Sequence, residues 1–76
     1  RKLHPRWIVV PLDVTSAYAI TTLANVISLT PGTVSAEVGP DRETLLVHCL
    51  DAEDGQEVID FIKRRYEAPI KRIFEP

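Results

Sequence analysis

The sequence contains no methionine, a single cysteine, only two histidines and only three glycines. One thiol excludes an internal disulfide and any cysteine-built zinc cluster. His4 and His48 stand too far apart in sequence to form a His-rich metal motif. Gly32 is the sole glycine near a helix end. A phosphate-binding loop needs several glycines ahead of a helix, and here the turn follows one. A positive excess is missing too: 9 Lys and Arg face 11 Asp and Glu, for a net charge of −2, so no global field favours nucleic acid. Between Arg6 and Arg42 there is no basic residue at all. Residues 7–29 are long enough to cross a bilayer, yet they hold Pro11, Asp13, Thr15, Ser16, Thr21, Thr22, Asn25 and Ser28, too many polar groups plus an early proline for a spanning helix. No short apolar core with a small-residue cleavage pattern marks a signal peptide. Removal of an initiator methionine normally requires a small second residue, which Arg1 is not. The expectation is a piece cut from a longer protein.

What is present reads as one small domain of 76 residues, 45% hydrophobic and 26% charged, with a modest core and marginal stability of its own. Trp7-Ile8-Val9-Val10 is β-branched and aromatic and closes at Pro11, which predicts a buried or edge strand. Asp13 or Thr15 can cap the helix that follows, in which Ala17, Ile20, Leu23, Ala24 and Ile27 recur at helical spacing. That helix stops before Pro31. Thr33 to Val38 alternates, with Val34, Ala36 and Val38 on one face; residues 39–42 form a turn, and residues 43–50 return as a partner strand. Pairing Val38 with Glu43 puts Ala36 opposite Leu45 and Val34 opposite Val47. Leu45, Val47 and Cys49 then join the core, while Leu46, His48 and Leu50 point the other way. Asp51 or Asp54 starts a second helix with Val58, Ile59, Ile62 and Tyr66 as its apolar stripe, and Pro69 is expected to end it near Ala68. Ile70, Ile73 and Phe74 offer one more amphipathic turn. The order β-α-β-β-α predicts a small two-layer α+β domain, with helices on one face of a three-stranded sheet.

Candidate sites are few. His48-Cys49 is the only adjacent nucleophile and base, but strand neighbours point to opposite faces, and Cys49 reads as a small buried hydrophobe. His48 is either a half-exposed strand residue paired with Glu37 or part of a docking surface. The acids Asp51, Glu53 and Asp54 lack calcium-loop spacing and read as a solvated helix start. The basic group Lys63, Arg64, Arg65, Lys71 and Arg72 is either a dipole-matched surface or a contact to lipid headgroups or an acidic partner. No catalytic constellation, cofactor-binding set or metal-binding set emerges, and an enzyme is not expected.

The stretch Asn25-Val26-Ile27-Ser28-Leu29-Thr30-Pro31-Gly32-Thr33-Val34 joins a helical pattern to an alternating one through a Pro-Gly turn. As a string it resembles the E subunit of the multisubunit (Mrp/Mnh/Pha-type) monovalent cation/proton (Na+/H+) antiporters. The resemblance runs over residues 24–35, continues at Leu45-Leu46-Val47-His48 and Leu50-Asp51, and resumes loosely at residues 62–67. Its most specific positions are Asn25, Leu29, Thr30, Pro31, Gly32, Thr33 and His48; the final helix is not specific, and the first 20 residues match only in character.

The resemblance implies transmembrane helices upstream of Arg1, a C-terminal soluble domain in the chain itself, and a place at the plasma membrane. Arg1, Lys2 and Arg6 would follow the last membrane helix, which favours the cytoplasmic side. It also implies an accessory role in antiporter assembly or stability, with other subunits of the complex as partners and the ion pathway in larger subunits. The expected docking face carries Leu46, His48 and Leu50 with Trp7 or Ile8, and a homo-oligomer through the sheets is a further expectation. The alternative is a freestanding regulatory α+β module that binds a small ligand, with its pocket at the Pro31-Gly32 turn. His48 belongs to the residue type that titrates near neutrality, which raises the question of pH sensing.

Overall fold

The computed structural model describes residues 2–76; Arg1, read above with Lys2 and Arg6 as one basic group, lies outside them. Three strands, β1 (Arg6–Pro11), β2 (Thr33–Val38) and β3 (Thr44–Cys49), form an antiparallel sheet in the order β1-β3-β2. Helix α1 (Ala17–Ser28) connects β1 to β2. After β3 the chain runs through α2 (Gly55–Ile62), a π-helical turn (Lys63–Glu67) and α3 (Ala68–Phe74). The fold is α+β in the order expected from sequence.

Alternation along the strands decides which side is core. Ile8 and Val10 of β1 and Leu45, Val47 and Cys49 of β3 are buried, each separated by a residue facing the other way. Ala19, Ile20, Leu23 and Ile27 of α1 pack on this inner face together with Ile62 and Ile70 of the C-terminal helices, and Val14 and Ala52 close the ends. Ala17 is exposed, and Ala19 takes the core position instead. Leu23 is fully buried, so truncation to alanine costs about 2–5 kcal/mol through lost burial and the cavity left behind.

Several local expectations are corrected. The cap of α1 is Ser16, whose hydroxyl accepts the Ala19 N–H at 3.0 Å, and not Asp13 or Thr15. Of the two acids expected to start α2, Asp54 is the cap and accepts the N–H groups of Gln56 and Glu57. The hairpin register differs by two residues: Val38 pairs with Leu45 and Ala36 with Val47. The turn lies one residue further along than expected, at residues 40–43, because Gly39 N–H donates to Thr44 O at 2.8 Å, and Arg42 takes φ 63° to complete it. Val34 does not enter the core. The register shifts between Thr33 and Ser35, and the bulge turns Val34 outward to 56% exposure. Val38, at the strand end, is 40% exposed.

Pro69 does not end the helix. The helical run is continuous from 55 to 74, with Ala68 in αR geometry just ahead of the proline. The turn widens before Pro69, and the Ala68 N–H donates to Lys63 O, five residues back. Proline lacks an N–H and its ring crowds the carbonyl four residues earlier, so a widened turn is a physical means of keeping the axis going. The extra residue also rotates Glu67 inward, to 2% exposure.

Candidate interaction surface

The outer face of the sheet is built from the residues that alternate with the core. Register places Trp7 beside His48 and Val9 beside Leu46 across β1 and β3, with Ser35 and Glu37 next to them on β2. Trp7 and Val9 are 54% and 55% exposed, while Leu46 and His48 are half-buried by their neighbours. No helix among the described residues covers this side.

The Trp7 and His48 rings stack with centroids 4.3 Å apart and planes 13° from parallel. His48 thus meets an aromatic face, and its cross-strand neighbour on β2 is Ser35; Glu37 pairs with Leu46 instead, which corrects the expected His48–Glu37 pair. Ile8, offered as the alternative to Trp7, belongs to the core. Leu50 lies one residue past β3, 48% exposed, with its N–H donating to Gly32 O at 2.9 Å. Four side chains, Trp7, Val9, Leu46 and His48, therefore make one contiguous patch with an acid, Glu37, at its border. Val9 is an addition to the residues expected from sequence, although its place two residues from Trp7 in a strand puts it on the same face.

The turn between α1 and β2 is a separate feature. Thr33 N–H donates to Thr30 O at 3.3 Å with Pro31 and Gly32 at the corner, and Gly32 has φ 87°. That is the positive φ a type II turn demands of its third residue, after a proline at its second. Thr30 Oγ1 donates to Ile27 O at 2.8 Å and lies 2.9 Å from Thr33 Oγ1, tying the turn to the helix end. Asn25 and Leu29 are exposed, Leu29 at 84%. Beside the turn is a cavity of about 330 Å³ lined by Ile27, Pro31, Gly32, Val58, Phe61 and Tyr66, among others. Phe61 and Tyr66 meet edge to face at 5.9 Å. Cys49 borders the same cavity, and burial pushes its thiol pKa up, which keeps it protonated.

On the far side, two carboxylates grip the loop between β1 and α1. Glu67 Oε2 accepts the N–H groups of Asp13 at 2.7 Å and Val14 at 3.2 Å. Glu75 Oε2 accepts those of Thr15 at 2.8 Å and Ser16 at 2.9 Å. Four consecutive donors ahead of α1 are thereby satisfied by the C-terminal helix, including groups at a helix start that have no partner within the helix. The bonds from Ser16 and Thr15 hold the Glu75 carboxyl below its usual pKa.

Lys63 Nζ reaches Glu67 Oε1 at 2.7 Å, Asp13 Oδ2 at 3.0 Å and Pro11 O at 2.6 Å. Desolvation works against its charge, but the bonds to Glu67 and Asp13 outweigh this and raise its pKa above the ordinary value. Lys63 is thus a structural tie and leaves the basic surface to Arg64, Arg65 and Arg72. Among the described residues no group of three or more His, Cys, Asp or Glu gathers where one metal ion could be held. Nor is any of their helices long and apolar enough to cross a membrane.

Residues 1–73 match the family described as Na+/H+ ion antiporter subunit. The chain belongs to that family. It is 34% identical over 61 residues to the E subunit of the Na(+)/H(+) antiporter of Bacillus subtilis (strain 168), an alignment covering 80% of this chain and 39% of the relative. It is 31% identical over 74 residues to the E1 subunit of the Na(+)/H(+) antiporter of Staphylococcus haemolyticus (strain JCSC1435), covering 97% of this chain and 46% of the relative. The same figures hold for the E1 subunit of Staphylococcus aureus (strain Newman). The chain spans less than half the length of these curated relatives. The likeness read from the Leu-Thr-Pro-Gly-Thr block is that of a true family member, and the family is one of antiporter subunits.

Proposed function

We propose that this chain is the cytoplasmic accessory domain of a multisubunit Na+/H+ antiporter and that it serves assembly or stability of the complex through protein–protein contacts. Family membership supports the antiporter. The observation that carries the docking role is the uncovered sheet face, where Trp7, Val9, Leu46 and His48 expose a continuous apolar and aromatic strip on a rigid support. In this reading the length that the relatives have beyond the match supplies membrane helices, and the domain sits at the inner side of the plasma membrane. Lys2 and Arg6 near the start of the chain fit that side. Ion translocation belongs to other subunits, and the domain contributes no catalytic group.

The test is Leu46→Glu in the complete antiporter. A charge at the centre of the strip breaks docking, and the complex loses this subunit on purification while the isolated 76-residue chain keeps its far-ultraviolet circular dichroism. An intact complex with Leu46→Glu sinks the docking role.

One observation favours a second reading, a regulatory module that binds a small ligand: the 330 Å³ cavity sits at the Pro31-Gly32 turn. Here Phe61→Trp fills the space and abolishes regulation without releasing the subunit. Changes in assembly and changes in regulation therefore separate the two.

A further inference from the structure

The helical run 55–74 is divided by charge. Its first half carries Glu57 and Asp60 just after the acids Asp51, Glu53 and Asp54, and its second half carries Arg64, Arg65, Lys71 and Arg72. Lys63 and Lys71 are engaged, the first by Glu67 and Asp13, the second near Glu75 Oε1 at 3.9 Å and Asp13 O at 3.4 Å. Arg64, Arg65 and Arg72 are all exposed and, among the described residues, have no ion-pair or hydrogen-bond partner. Ile62, Glu67 and Ile70 mark the inward side of the run, so these arginines project outward. Next to Arg72 stand Ile73, 71% exposed, and Phe74, 42% exposed.

We propose that this C-terminal end is a second interaction surface, which binds the headgroups of an anionic lipid bilayer. Three guanidinium groups without a salt bridge supply the charge complementarity, Arg65 and Arg72 at the basic end and Arg64 at its border, where it shares a cavity with Glu57 and Asp60. Ile73 and Phe74 supply apolar area at the same end, available to the headgroup–acyl boundary. An acidic protein partner would use the arginines but would leave the exposed Ile73 and Phe74 without a role. The acids at the other end of the run repel the same bilayer, so contact is made with the C-terminal end forward. This surface lies on the helical layer, away from Trp7 and Leu46, and rests on different residues from the docking reading above.

The test uses the 76-residue chain and vesicles of phosphatidylcholine with and without about 30 mol% phosphatidylglycerol, by co-sedimentation. Binding to the anionic vesicles only, weakened by salt, is expected. Each arginine near such a surface strengthens binding about fivefold, so R64Q/R65Q/R72Q together lower partitioning roughly a hundredfold. Replacing the same three with lysine retains most of it, and Ile73→Ser lowers it several-fold. Circular dichroism confirms that each variant is folded. Failure of the wild-type chain to bind anionic vesicles at low salt overturns the proposal, as does binding unaffected by the triple glutamine variant. Capture by a polyglutamate column with no vesicle binding overturns it in favour of an acidic protein partner.

Discussion

Replacing Glu67 with glutamine changes no volume and one charge, at a site that ties the two ends of the chain together. The carboxylate is 2% exposed and accepts from two backbone donors through Oε2 and from Lys63 through Oε1. Glutamine can keep its oxygen toward Asp13 and Val14, but its NH₂ group then faces the Lys63 ammonium, donor against donor. Turned the other way, it faces two backbone N–H groups. Either orientation gives up charge-assisted bonds, each worth about 1.5–3 kcal/mol. The Lys63 side chain is 27% exposed and retains Asp13 and Pro11, so it is not left stranded and the loss stays near about 2–3 kcal/mol. Against a total of about 4–11 kcal/mol for a chain this size, that is a large fraction. With a urea dependence of about 1 kcal/mol per molar, the unfolding midpoint followed by circular dichroism falls by roughly 2–3 M at unchanged slope. A midpoint within about 0.5 M of wild type would refute the claim that Glu67 anchors the loop ahead of α1.

Other consequences are open to direct measurement. Glu75 is held low by its bonds to Ser16 and Thr15, so its contribution is present above the ordinary carboxyl range and is lost as pH falls through its depressed value; Glu75→Gln should flatten the acid limb of a stability–pH curve below about pH 4. Lys63 titrates above its ordinary value, so its contribution is complete below about pH 10.4 and disappears as pH rises past the folded value; Lys63→Met should remove that alkaline loss, as read by urea titration. Arg42 has φ 63°, a conformation that costs an L side chain energy, so Arg42→Gly should stabilise the chain by up to about 1 kcal/mol. Gly32 has φ 87° with open space around it, and Gly32→Ala should cost about 1 kcal/mol by backbone strain alone, with an unchanged spectrum.

Strand and helix identities were legible because their periods are clear: alternation in residues 44–49, and the spacing of Ile20, Leu23 and Ile27. The Thr30–Thr33 turn was legible from Pro-Gly chemistry. What escaped were the places where one residue is added. The bulge at Val34 and the π turn at Lys63–Glu67 each shift the phase of a regular element, and a regular template reads straight through both. Pro69 was the available signal for the second. A proline inside an otherwise amphipathic run can mean a widened turn as well as a stop, and the widened turn is what brings Glu67 inward. The grip on residues 13–16 combines groups 53 to 60 positions apart, which local patterns do not report. The outer sheet face was partly legible: Leu46 and His48 follow from alternation, whereas the choice of Trp7 over Ile8 and the stacking of Trp7 on His48 depend on a cross-strand register that had to be seen.

The central claim is that the uncovered sheet face seats this domain on its antiporter. The most direct measurement is affinity purification of the complete complex through a tag on another subunit, carrying Leu46→Glu or Trp7→Glu here. Loss of this subunit from the purified complex, with the isolated variant chains still folded, is the predicted result. Full recovery of the subunit with both variants would contradict the account.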